Sequence, residues 1–292
     1  MNIPKRLSLF VTILLLLLGS VTCVTTPESS TKVARPYLWK VAREGRVHHV
    51  LGTMHVGVDA RQDLGPEVWQ AFEAAPCLVV EADQKAIDFG QLYSMSRLPK
   101  GQLLSAQMQP DAWKKLNDKL GSQAGDTLNT SQPWFATLLL LQELTPSGEA
   151  MDYSFVQAAL QKKKRVEFLE DWREAIGAFA QVTDVADLED LLNNEQSAKD
   201  DTQAMMDAYR SGDASRLEQV IADVNGRTPG SDAKLAVLLA GRNAIWLPRL
   251  LKSLEKDSCF VAVGVGHLVG PKNLFDLLRA KGFTVERAAP PI

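Results

Sequence analysis

The chain predicts an α/β fold, with a single mixed β-sheet built from both chain ends and a large helical insert covering the sheet edge. Two observations carry this. Strand-like apolar runs cluster towards the ends of the folded part, at Tyr37 to Ala42, Arg46 to Leu51, Leu78 to Val80, Cys259 to Val263 and Phe283 to Arg287, with one more at Val166 to Leu169. Between Gln84 and Leu254 helical spacing dominates instead. A third observation concerns function: four of the runs stop at a His or a carboxylate. Two end in Gly-x-x-His, Gly52-Thr53-Met54-His55 and Gly264-Val265-Gly266-His267, and two end at Glu81 and Glu170. Ligands of open α/β sheets bind beyond the carboxyl ends of the strands, so these side chains are expected to converge.

In chain order, Arg43-Glu44-Gly45 reads as the turn of a hairpin whose second strand leads into the first motif. Pro66 to Ala75 reads as a helix opened by proline, followed by the Leu78–Val80 strand. Gln132 to Leu144 is apolar nearly all round and predicts a buried helix. Leu188 to Tyr209 and Ala214 to Val224 are amphipathic and more polar, and Ala233 to Leu254 is a long helix containing Arg242-Asn243. The closing segment returns to the sheet through a helix at Pro271 to Lys281 and a stop at Gly282. The charged stretch from Asn193 to Asp213 is expected to be the mobile part of a lid over the strand ends.

The chain has 292 residues, 46% hydrophobic and 23% charged, which is ordinary globular composition. Lys5-Arg6 before the apolar run Leu7 to Leu18 and the small residues after it read as a signal peptide over 1–22. A Thr-, Ser- and Pro-rich flexible tether follows over 23–36, and the folded domain occupies 37–292. Cys23 stands where a lipidated cysteine would, although Thr22 precedes it where Gly or Ala is usual, so a lipid-anchored and a plain exported, periplasmic protein both fit. Loss of the leader removes two cations and leaves 30 basic against 35 acidic residues, and no basic patch points to nucleic acid. The expected partner is a peptide or small-molecule substrate, with a membrane involved only through the anchor. Cys77 and Cys259 each begin an apolar strand and are read either as buried thiols or as a disulfide pair.

The candidate metal ligands are His55, His267 and Glu81, and a divalent ion such as zinc, manganese or cobalt suits them. A lone His beside a strand is more often structural, but two in the same local context reverse that reading. His48 and His49 point to opposite faces of one strand and are left out. Glu81 is also the candidate general base, its structural alternative being an ion pair with Arg242. Arg242 and Glu170 are read as catalytic partners, and Asn243 and Asp152 as substrate-binding, with Asp152 equally readable as a helix cap. Asp83 is either a site residue or a cap. No Gly-x-Ser-x-Gly elbow supports a serine nucleophile.

Taken in order, Leu38-Trp39-Lys40-Val41, Leu51 to Gly57, Val79 to Asp83, Met151-Asp152, Phe168-Leu169-Glu170, Gly241-Arg242-Asn243 and Val263 to Pro271 resemble the TraB/PrgY/GumN family, which includes the Tiki proteins. The resemblance covers about Tyr37 to Arg287. It implies a Tiki-like site, and with it a metal-dependent protease using the two Gly-x-x-His motifs. The wider superfamily, which is thought to take in an esterase and a haem-binding lipoprotein, keeps a second reading open: a non-catalytic envelope binding protein for haem, metal or peptide.

Overall fold

In the computed structural model, residues 32–124, 126–146, 148–226 and 230–288 are described. The proposed leader and Cys23 lie outside the described residues.

Glu44 and Gly45 both take positive φ, 53° and 78°. That is the backbone a two-residue hairpin turn requires, because its twist then matches that of the flanking strands. The turn joins β1 (Leu38–Arg43) to β2 (Arg46–Thr53), with Leu38 opposite Leu51 and Arg43 opposite Arg46. β3 (Cys77–Val80), β4 (Arg165–Phe168), β5 (Cys259–Gly264) and β6 (Thr284–Arg287) complete a six-stranded sheet in the order β4-β3-β5-β2-β1-β6. β4, β3, β5 and β2 run parallel, whereas β1 and β6 pair antiparallel at one edge. The last parallel strand to be made, β5, sits at the centre between β3 and β2. All six of its residues are buried, as are all four of β3, in keeping with parallel strands covered on both faces.

The helices follow as α1 (Ala60–Asp63), α2 (Pro66–Ala74), α3 (Phe89–Met95), α4 (Pro110–Ala124), α5 (Asp126–Asn129), α6 (Pro133–Leu144) and α7 (Met151–Gln161). After β4 come α8 (Trp172–Val182), α9 (Val185–Asn193), α10 (Glu195–Ser211), α11 (Ala214–Gly226), α12 (Ser231–Leu235) and α13 (Arg242–Lys256), and α14 (Leu274–Arg279) precedes β6. One face of the sheet packs on α2, α7 and α10 through Phe72, Phe155, Met205 and Tyr209; the other packs on α13 and α14 through Trp246, Leu250 and Phe275. A third core contains no strand residue. It is built by the insert alone, from α4, α6, α8 and α9 around Leu116, Leu140, Phe179 and Leu191.

Two expected helices are divided. Leu188 to Tyr209 breaks at Asn194, whose backbone leaves helical geometry at φ −128°, ψ 31°. The Ala233–Leu254 helix carries a π-helical segment at Ala236–Gly241, immediately before Arg242. The expectation of a loose lid at Asn193 to Asp213 also needs correction. Most of this stretch is α10, which buries Ala198, Thr202, Met205, Met206, Ala208 and Tyr209, and the Tyr209 hydroxyl donates to Gly52 O at 2.7 Å. Tyr37 stacks on Tyr209 at 4.9 Å, and the Arg287 guanidinium lies over Tyr37 while donating to Arg35 O, Pro36 O and Gly212 O. The tether's last residues, α10 and the final strand are thus tied together. No helix among the described residues is long and apolar enough to cross a membrane.

Candidate active site

Parallel pairing of β2 with β5 puts Gly52 opposite Val263 and Thr53 opposite Gly264, so the two Gly-x-x-His motifs leave the sheet side by side. Their glycines are needed for close approach. A Cβ on Gly52 would lie 2.9 Å from Val265 Cγ2, and one on Gly264 would lie 2.7 Å from His55 Nε2 and 3.1 Å from Glu81 Oε1. Gly264 has a φ of −50°, so space and not backbone freedom excludes a side chain there.

Glu81 lies one residue beyond β3 and is the hub. Its Oε1 accepts from Gly264 N–H at 2.6 Å, and its Oε2 accepts from Arg242 Nη2 at 2.9 Å. The same Oε1 stands 3.9 Å from His55 Nε2 and 3.9 Å from His267 Nε2, between the two motifs. Arg242, the first residue of α13, also donates to both oxygens of Glu170 and, through Nη1, to Leu238 O and His267 Nε2 at 3.3 Å each. π-helical turns occur often at functional sites, and here one immediately precedes the residue that brings this guanidinium into the core.

His267 is fixed from both sides. Asn243 Nδ2 donates to His267 O and Lys272 O, which turns Asn243 Oδ1 towards His267 Nδ1 at 2.8 Å. Nδ1 therefore carries the proton and Nε2 the lone pair, an assignment that follows from the hydrogen-bond network. Trp246 stacks on the ring with centroids 4.2 Å apart. Asn243 thus uses its amide on His267 and the following loop.

Asp152 enters from α7, in the first turn, where Ala150 holds the cap position. Its side chain does not cap that helix. It faces His55, with Oδ2 3.4 Å from Nδ1. The ligand atoms of His55, Glu81 and Asp152 all lie within 4.8 Å of one another. Asp83, by contrast, caps the short helical turn after β3 by accepting from Lys85 N–H at 2.9 Å. Thr53, which the sequence reading passed over, leans towards Asp152 without reaching hydrogen-bond geometry. Thr53 Oγ1, His55 Nδ1 and both Asp152 oxygens are buried without a hydrogen-bond partner.

Burial pushes the carboxyls of Glu81, Asp152 and Glu170 upward; Arg242 opposes the shift at Glu81 and Glu170, while the charge of Glu81 adds to it at Asp152. Burial followed by Arg242 pulls His55 down to about 3 and His267 well below its ordinary value, so both imidazoles are neutral near pH 7. This centre thus holds three carboxyl groups and one guanidinium, which bonds two of them, Glu81 and Glu170. Two small cavities reach this centre. One, of about 20 Å³, is lined by Glu81, Lys85, Asp152, Tyr153, Phe168 and Arg242; the other, of about 40 Å³, is lined by Met54, His55, Met205, Ile221, Leu239 and His267.

Residues 37–287 match the TraB/PrgY/gumN family. Among curated relatives, the uncharacterised YbaP of Escherichia coli strain K12 is 26% identical over 257 residues, covering 83% of this chain and 93% of its own length. An uncharacterised protein of Treponema pallidum strain Nichols is 22% identical over 297 residues, covering 91% of this chain and 89% of its own. No solved structure matches. With the family spanning the whole sheet, the insert and both histidine motifs, the chain belongs to the TraB/PrgY/gumN family.

Proposed function

We propose that this protein is a metal-assisted hydrolase of amide or ester bonds, peptidase-like in its substrate, exported to the periplasm or held at the membrane by a lipid on Cys23. The observation that carries the reading is the buried group of His55, Glu81 and Asp152 with Thr53 beside it, where four polar atoms lack partners. Buried polar atoms are costly unless satisfied, and a site built around unsatisfied ones fits an ion or a water. The charge balance agrees, since one arginine cannot neutralise three carboxylates and a divalent cation would. Nitrogen and oxygen donors together suit zinc, manganese or cobalt. Such an ion, when bound, supplies Lewis acidity and lowers the pKa of a water beside it.

The chain's own residues do the rest. Glu81 takes a proton from the attacking water at Oε1 and returns it to the leaving group, while Arg242 on Oε2 and Gly264 N–H on Oε1 hold the carboxylate in place. His267 Nε2 stands 3.9 Å from the same oxygen, its lone pair taken by Arg242 Nη1. Lys85 and Tyr153 at the first cavity are positioned to meet the substrate.

The test is elemental analysis of purified protein beside turnover of chromogenic peptides and esters. About one ion per chain is expected, lost in His55→Ala. Glu81→Gln should cut turnover about 10²- to 10⁴-fold while the protein still folds, because Arg242 keeps Glu170 as its partner. A protein that retains no metal and hydrolyses nothing would overturn the proposal. One observation favours the second reading, a binding protein for haem, metal or peptide: Met54 and Met205 line the histidine-side cavity and offer soft contacts. A haem would need that cavity of about 40 Å³ to open widely, and a Soret band in the purified protein would show it.

A further inference from the structure

At the other end of the sheet from the candidate site, Cys77 and Cys259 occupy the same register on adjacent parallel strands. Arg165 continues the row on β4, opposite Cys77, and the His48 ring closes it on β2, accepting from Cys259 N–H at 3.2 Å. Both cysteines are buried as free thiols, side by side on paired strands. Strands in a sheet run about 4.8 Å apart, and a disulfide accepts Cα separations of about 4.4–6.8 Å. Side chains at matched positions of a parallel pair leave the same face, so side-chain rotation with a small approach of the two strands brings the sulfurs together.

We propose that Cys77 and Cys259 are a crosslink site, joined by a disulfide that staples β3 to β5. The chemistry is exchange with a small disulfide oxidant as the strands pair during folding, before burial closes off the sulfurs. The Cys77 thiolate attacks the oxidant and expels one thiolate, leaving a mixed disulfide. Cys259 gives up its proton, and its sulfur displaces the second thiolate from Cys77. Two protein S–H groups become one S–S bond, and one oxidant disulfide becomes two thiols. Arg165 assists, with Nη2 3.9 Å from Cys259 Sγ and bonded to Asp257 at 2.9 Å. The Cys259 thiol, and after it the Arg165 charge, lowers the Cys77 thiol against the effect of burial, while Cys259 is pushed up. The staple would tie together the two strands that carry Glu81 at one tip and Gly264 to His267 at the other.

The full chain is equilibrated in mixtures of reduced and oxidised glutathione, both from the folded state and by refolding, then alkylated in denaturant and mapped by peptide mass. A linked Cys77–Cys259 peptide should dominate at equal concentrations of the two forms. Reduction should lower Tm by about 5 °C or more. In Cys77→Ala or Cys259→Ala the remaining cysteine should alkylate freely, and Tm should no longer respond to reductant. The proposal is overturned if both sulfurs stay open to alkylation, or carry only glutathione, at every ratio. It also fails if the link forms but reduction leaves Tm unmoved.

Discussion

The candidate site has two halves that differ in how far their polar groups are satisfied. On the α13 side, every polar side-chain atom of Arg242, Glu170, Asn243 and His267 has a partner, and only the indole Nε1 of Trp246 is left without one. On the α7 side, Thr53, His55 and Asp152 leave four buried atoms without one. Both halves are buried and meet at Glu81, whose Oε2 is held by Arg242 and whose Oε1 lies between the two histidines. The contrast teaches that burial alone does not make a polar group structural. The first half is a finished scaffold that holds Glu81 and His267 in place; the second has the chemistry of a place where something binds.

The largest effect that would break this division is expected at Arg242. Replacing it by Met leaves Glu81 and Glu170 buried and unpaired, and should cost about 3–5 kcal/mol in urea unfolding. A loss under about 1 kcal/mol would mean that the carboxyls relax to solvent and that the scaffold half is no scaffold. Asp152→Asn should act in the opposite direction. With chelator present it removes a buried, unpaired carboxyl and should raise stability by about 1–3 kcal/mol, while calorimetry should show weaker binding of added zinc or manganese. Destabilisation by Asp152→Asn would place Asp152 in the scaffold.

Proton competition sharpens the comparison at a smaller scale. Asp152 is raised, so the folded chain holds a proton that the unfolded chain releases in the ordinary carboxylate range. Stability of the metal-free protein should therefore fall as pH rises through that window, and cation affinity should rise by up to about tenfold per pH unit until Asp152 has ionised. His55 works the other way. Lowered to about 3, it stays neutral in the fold, so its contribution is present above its unfolded value near 6.5 and is lost as pH falls from there towards 3. Affinity titrations at several pH values would separate the two, because the lowered imidazole holds no proton for a cation to displace near neutrality. The smallest effect belongs to Thr53→Val, which removes one unpartnered hydroxyl at nearly constant volume. It should change stability by less than about 1 kcal/mol, and a larger loss would show that Thr53 is bonded after all.

Much of this was legible in the residues themselves. A strand that stops at Gly-x-x-His declares where its histidine goes, and the paired ends of the chain predicted one sheet. Other features depend on distant partners and left no local trace. That Thr53 lies beside Gly264 is decided by β5 inserting between β3 and β2, which no window of sequence records. Asp152 near a helix start reads as readily as a cap, and only the position of His55 makes it a site residue. The π-helical segment before Arg242 sits in an unbroken helical pattern. The inner face of α10 was hidden by its charge, because a helix with Met205, Met206 and Tyr209 on one side still reads as polar on average.

The central place of β5 also sets a timetable. A chain made from its amino end has β2 and β3 long before it has the strand that belongs between them, so the sheet keeps a gap until residue 264 has been added. The insert, with its own core, is free to gather earlier. The sheet is not, because its pairing waits on contacts between the far ends of the polymer, the slowest kind to form. Until β5 arrives, the β1–β2 hairpin and the β3–β4 pair keep bare strand edges. That state is hazardous in a crowded compartment, because unpaired edges invite pairing with other chains.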